Sequence, residues 1–139
     1  MPESHAELYV HLVWATWDRM PLLSQDIRDQ VFTAIGVKCK ELNCIPLAVG
    51  GIDNHVHVLV RFPTTITIAS LAHEIKGSSS HLITHVLKPG TYFKWQGSYG
   101  AFTIHTRDVE HLQRYIQNQE RHHADQVLDS DWEDFMTRE

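Results

Sequence analysis

The chain has only two cysteines, Cys39 and Cys44. So few exclude a disulfide framework, and without a second pair they make a poor zinc site; both are read as reduced and structural. Long apolar runs are missing too: nothing approaches the ~20 residues of a membrane-spanning helix. The opening Met-Pro-Glu-Ser-His-Ala-Glu lacks the basic-then-apolar order of a secretory signal, so a cytoplasmic location is expected. There is no internal repeat, linker or low-complexity segment, and 139 residues suffice for one domain with its own core. Positive charge is in short supply as well. The formal net charge is −5, which weighs against a polyanionic partner. Its distribution softens that objection. From residue 125 onward six acids face Arg138 alone, so residues 1–124 balance eleven acids against eleven lysines and arginines. The expected organisation is a neutral body over 1–124 and an acidic tail over 125–139.

What the chain does have is concentrated in residues 50–62, Gly-Gly-Ile-Asp-Asn-His-Val-His-Val-Leu-Val-Arg-Phe. A Gly-Gly/Asp-Asn turn signal followed by β-branched residues predicts a strand entered from a hairpin. Side chains alternate along a strand, so His55 and His57 share one face while Val56, Val58 and Val60 share the other. Two imidazoles about 7 Å apart, backed by a buried valine row, suit one divalent metal. A half-buried strand with two tolerated histidines is the bland alternative. The pairing makes it the weaker one.

The rest of the chain alternates strand and helix signals. Residues 8–17, rich in aromatic and β-branched types, form a first strand with Tyr9, His11, Val13 and Ala15 on one face. Ser24 is placed to cap a helix carrying Ile27, Val31, Ala34 and Ile35 at helical spacing. Pro46 opens a short strand over 47–49. A helix over 68–86 follows, with Leu71, Ile75, Leu82 and Val86 as its apolar stripe. Lys76-Gly77-Ser78-Ser79-Ser80 interrupts it, at a cost of roughly 1 kcal/mol for the glycine. That run is either a surface turn of the helix or a place where a phosphate backbone approaches Lys76. Residues 95–105 read as a loop and a fourth strand, in which Trp95 either stacks on unpaired bases or fills core. Thr106 caps a last helix from 109 to about 123, placing Tyr115 and Gln119 on one face, flanked by His111 and His122. The order β-α-β-β-α-β-α predicts an α+β, ferredoxin-like (split βαβ) antiparallel sheet with helices on one face and a tyrosine-bearing C-terminal helix.

Together these blocks resemble the single-tyrosine HUH transposases of insertion sequences, including the REP-associated tyrosine transposases. His55-Val56-His57 meets the His-hydrophobic-His motif. The likeness also covers Val10-His11-Leu12-Val13-Trp14, Arg19-Met20-Pro21-Leu22, Gly50-Gly51-Ile52-Asp53-Asn54, Lys76-Gly77-Ser78-Ser79-Ser80 and Trp95-Gln96-Gly97-Ser98-Tyr99-Gly100-Ala101-Phe102. Its most specific block is Tyr115-Ile116-Gln117-Asn118-Gln119-Glu120-Arg121-His122-His123. The resemblance implies Tyr115 as nucleophile, His55, His57 and Gln119 as ligands of Mg²⁺ or Mn²⁺, and single-stranded, hairpin-forming DNA as partner. It implies either a homodimer with shared active sites or a monomer. Lys76, Ser78, Arg114 and Trp95 are the expected DNA contacts. Asn54 stands where such proteins often carry Asp, a change expected to bear on the surroundings of the metal ligands.

The residue types suit that chemistry. A phenol with a pKa of ~10 in water is a weak nucleophile at neutral pH. A divalent ion helps by polarising the scissile phosphate, and imidazoles tilt the choice towards Mn²⁺. Three alternatives stay open at this stage. A histidine-triad nucleotide hydrolase would need a third histidine where Leu59 stands. A non-catalytic nucleic-acid-binding module on the same fold would leave His55, His57, Tyr115 and Gln119 without a purpose. A structural metal-binding domain would bind the ion without reacting with DNA.

Overall fold

The computed structural model describes residues 4–119. Four strands, β1 (Tyr9–Ala15), β2 (Ile45–Gly51), β3 (His55–Arg61) and β4 (Gly100–Ile104), form one sheet in the order β2-β3-β1-β4. Every neighbouring pair is antiparallel. Helix α1 (Gln25–Glu41) joins β1 to β2, α2 (Ile68–Leu82) lies between β3 and β4, and α3 (Val109–Gln117) follows β4. This is the α+β, ferredoxin-like arrangement that the element order predicts.

Strand alternation divides the sheet into two unlike faces. Val10, Leu12 and Trp14 of β1 and Val56, Val58 and Val60 of β3 share one core with Ile27, Val31, Ile35 and Cys39 of α1 and Leu71, Ala72 and Ile75 of α2. Each fully buried aliphatic side chain there is worth about 1.5–3 kcal/mol against exposure, so this face dominates the stability. On the other face, α3 sets Leu112, Tyr115 and Ile116 against Ala48 and Leu59. There Val13 and Ala15 form a small separate cluster with Phe102.

Several boundaries differ from the sequence expectation, each for a local reason. β1 stops at Ala15: Thr16 N still reaches Asn54 O in register (3.0 Å), but Trp17 N turns away to Lys94 O (2.8 Å) and a 3₁₀ turn (Trp17–Arg19) follows. β2 is longer than 47–49. Pro46, which has no N–H to give, is tolerated on this outer strand, and a register shift between Pro46 and Ala48 absorbs the extra residue. Ser24 does sit at the N-cap of α1, yet its hydroxyl donates to Asp26 Oδ1 rather than capping the helix. The Gly-Ser run lies inside α2 without breaking it. Thr67 Oγ1 accepts from Ser70 N (3.0 Å) at the start, and buried Leu71, Ala72, Ile75 and Ser79 anchor one side.

After Leu82 the helix widens into a π-turn (Ile83–Leu87); Ile83, one turn beyond Ser79, continues the buried side of α2, whereas Val86 within the wider turn is exposed. Thr106 opens a 3₁₀ turn instead of capping α3; His105 Nδ1 accepts from Arg107 N (3.0 Å), and Asp108 takes the N-cap. The expected continuation of the last helix to about 123, His122 and the acidic tail fall outside the described residues. Both cysteines are free, buried thiols, and burial pushes Cys39 up to about 12. Among the described residues no helix is long and apolar enough to cross a membrane.

Candidate active site

His57 sits in a cross-strand row, opposite Val13 on one side and Gly50 on the other. That glycine decides where α3 can lie. A Cβ at Gly50 would come within 2.4 Å of Ile116 O, so only a bare backbone lets the helix rest on the sheet beside His57. Close docking brings the neighbouring Tyr115 ring to 5.9 Å from the His57 ring, nearly perpendicular at 79°. The His55 and His57 rings are 5.1 Å apart. Gln119, just beyond α3 and only 2% exposed, turns back towards the sheet. Its Oε1 lies 3.1 Å from His55 Nε2, while its Nε2 donates to Tyr115 O (3.4 Å). The four residues singled out in the sequence therefore meet in one place, drawn from β3 and the end of α3.

The inner nitrogens of both imidazoles are engaged. His55 Nδ1 is 2.9 Å from Asn54 Oδ1, so the Asn54 that departs from the expected Asp does touch a proposed ligand. With Gln119 Oε1 on its other nitrogen, His55 lies between two amide oxygens. A cation at Nε2 relieves that convergence of negative dipole ends. His57 Nδ1 is 2.8 Å from His11 Nε2, and the two rings are nearly parallel (18°) with centroids 5.0 Å apart. Among the described residues no three His, Cys, Asp or Glu side chains gather as a metal-binding group. The groups that meet here, two imidazoles and an amide oxygen, are of a kind that suits a divalent ion.

His11 is the residue that the sequence left without a role. Its position on the same face as Val13 is plain from alternation. Its meeting with His57 needs the β1–β3 register, in which His11 pairs with Leu59 and Val13 with His57. No motif signals that register.

The expected DNA contacts are less uniform. Trp95 is corrected: at 6% exposure it packs edge-on to Trp14 and Phe93 and donates Nε1–H to Ser79 Oγ (3.1 Å), so its ring is core and offers no face to a base. That bond also explains the buried Ser79. Lys76 Nζ donates to Gln96 O (2.8 Å) and Ser98 O (3.2 Å), tying down the loop before β4, and burial lowers its pKa. Ser78 is half-buried and its hydroxyl turns back to Ile75 O (3.4 Å). Arg114 is exposed on α3 and pairs with Glu110 at 3.0 Å. An exposed tryptophan does exist near this loop: Trp17, 45% exposed, with Lys94 Nζ 4.1 Å from its ring centroid. Two clefts adjoin these residues. One of about 470 Å³ is bordered by Arg28, Gly50, Gln117 and Gln119, the other, of about 490 Å³, by His73, Lys76, Lys94 and Tyr99.

Residues 4–119 match the family described as "Transposase IS200 like". Two solved structures are similar. A candidate transposase from Deinococcus radiodurans R1 is 23% identical, with a TM-score of 0.66 over 86% of this chain and 98% of that one. A REP-associated tyrosine transposase bound to a REP hairpin is 19% identical, with a TM-score of 0.62 over 85% of this chain and 72% of that one. At these identities the likeness speaks for the fold. Curated proteins gave no match.

Proposed function

The chain belongs to the IS200-like transposase family, and from that premise we propose that it cuts and rejoins single-stranded DNA through a covalent link to Tyr115. The observation that carries this reading is the convergence of Tyr115 and Gln119 on His55 and His57. Neither a binding module nor a structural domain calls for a tyrosine set beside two histidines and a buried glutamine.

Tyr115 Oη attacks the scissile phosphorus, giving up its proton to water or base. The new Tyr–O–P bond forms as the O3′–P bond breaks, leaving a 3′-hydroxyl on one strand end and a 5′-phosphotyrosine on the other. Because one phosphodiester replaces another, a second 3′-hydroxyl can reverse the step without ATP. His55 Nε2, His57 Nε2 and Gln119 Oε1 would hold Mg²⁺ or Mn²⁺. The bound ion supplies charge neutralisation at the phosphate. Gln119 shares the end of α3 with the nucleophile, so the relative position of tyrosine and ligand set is built into one short segment.

The substrate we propose is a hairpin with unpaired flanking bases. A neutral body offers modest phosphate attraction, so shape and stacking must add affinity. Trp17 replaces Trp95 as the stacking surface in this reading, and Lys76, Ser78 and Arg114 stay as proposed backbone contacts.

The test is incubation with labelled hairpin and unstructured single strands, followed by denaturing electrophoresis. An SDS-stable adduct is expected with Mn²⁺ present, lost in EDTA and restored by Mn²⁺. A chain that binds the DNA yet forms no adduct with either metal would refute the catalytic reading.

A further inference from the structure

His11 is wholly buried on β1, in direct cross-strand register with Phe102 of β4 on one side and Leu59 of β3 on the other. Its ring lies between Phe102, 5.9 Å away, and His57, 5.0 Å away and nearly parallel at 18°. Flanked by rings on both sides, it has little freedom to turn. Its Nε2 meets His57 Nδ1 at 2.8 Å. Between two neutral imidazoles such a bond contains one proton, and the proton can belong to either ring.

The two assignments have opposite consequences. With the proton on His57 Nδ1, the lone pair of His57 lies on Nε2, the atom that the metal reading requires. With the proton on His11 Nε2, a neutral His57 must carry its own proton on Nε2 and can ligate nothing there. A metal-ligating histidine is fixed in tautomer and orientation by what its other nitrogen donates to. Asn54 Oδ1, which can only accept, fills that place for His55 at 2.9 Å. In the corresponding bond of His57 the partner is the nitrogen of another histidine.

We infer that His11 is a positioning residue for His57: as the Nδ1–H tautomer it accepts the His57 Nδ1–H proton on Nε2, and so presents His57 Nε2 as a bare lone pair to the divalent ion. This rests on the metal reading above and deepens it. The two histidines of the motif are thus oriented by different means, one by the amide beside it in sequence and one by an imidazole across the sheet.

The experiment combines ¹⁵N spectra of the histidine rings in the metal-free protein with Mn²⁺ titration of the same samples. Wild type is expected to show His57 protonated at Nδ1 and bare at Nε2. His11→Leu, which keeps an apolar side chain against Phe102 but removes the acceptor, should move the His57 proton to Nε2. It should also weaken Mn²⁺ binding by about 10–100-fold. His11→Gln, whose amide oxygen can reach the same position, should restore both the tautomer and most of the affinity. A purely structural role would leave the tautomer unchanged.

Wild-type His57 protonated at Nε2 overturns the inference whatever the variants do. So does a folded His11→Leu that binds Mn²⁺ as tightly as wild type. A wild type with the expected tautomer that binds no Mn²⁺ overturns the metal reading itself, and the positioning role falls with it. Should His11→Leu fail to fold, the wild-type spectrum and His11→Gln still decide: a folded His11→Gln with His57 shifted to the Nε2–H form contradicts the assignment.

Discussion

The two faces of the sheet are made from the same strands and do unlike work. Towards α1 and α2, β1 and β3 present Val10, Leu12, Trp14, Val56, Val58 and Val60 to an apolar core. One residue out of step, the same strands present His11, His55 and His57, all as deeply buried as the valines. Buried imidazoles are retained only where their nitrogens find partners, and here those partners are Asn54, Gln119 and each other. The difference teaches that burial alone does not separate stability from chemistry. What separates them is whether the buried atoms need a partner of a particular kind.

The sharpest break in that comparison is Tyr115→Phe. It removes one oxygen and keeps the ring that packs with Leu59, Leu112 and Ile116. Adduct formation should vanish entirely, while the thermal midpoint and hairpin affinity stay near wild type. An SDS-stable adduct formed by the variant would unseat Tyr115 as nucleophile. The counterpart on the other face is Leu12→Ala, fully buried in the main core. Chemical denaturation should show a loss of about 2–5 kcal/mol, with adduct yield per folded molecule unchanged at low temperature. If Leu12→Ala cost little stability, the division between the faces would be wrong.

Gly50→Ala bridges the two. Its Cβ would press on the Ile116 carbonyl, and overpacking of that kind costs about 1–3 kcal/mol. Since the strain falls where α3 rests on the sheet, adduct formation should drop more than stability does. Equal activity with wild type would mean that the position of α3 is not critical. The smallest effect belongs to Gly77→Ala. Nothing lies within 4 Å of the added methyl on exposed α2, so the helix should gain about 1 kcal/mol. DNA affinity is the informative readout: unchanged binding leaves Gly77 as an ordinary helix residue, and a marked loss restores it as a point of close approach by a phosphate backbone.

Much of this was legible in the chain. Alternation in 55–60 by itself separates the histidines from the valines, and the element order leads to the sheet topology. The meeting of β3 with the end of α3 was reached through resemblance, since a tyrosine and a glutamine on a helix face carry no signal of their own. Three things were not legible, for physical reasons. The role of His11 depends on strand register, which a single strand does not encode. The burial of Trp95 depends on Ser79, sixteen residues away; aromatic content reads the same for a core ring and an exposed one. The π-turn after Leu82 carries Val86 off the buried side, which a fixed helical period does not foresee.

The most direct test of the proposed chemistry is to locate the attached DNA. Wild-type protein is reacted with hairpin DNA and Mn²⁺, digested with protease and nuclease, and mapped by mass spectrometry. The expected result is a nucleotide 5′-phosphate carried by Tyr115 and by no other residue. Attachment at a different side chain, or a fully bound complex with no modified peptide, would contradict the assignment of Tyr115, His55, His57 and Gln119 as one active site.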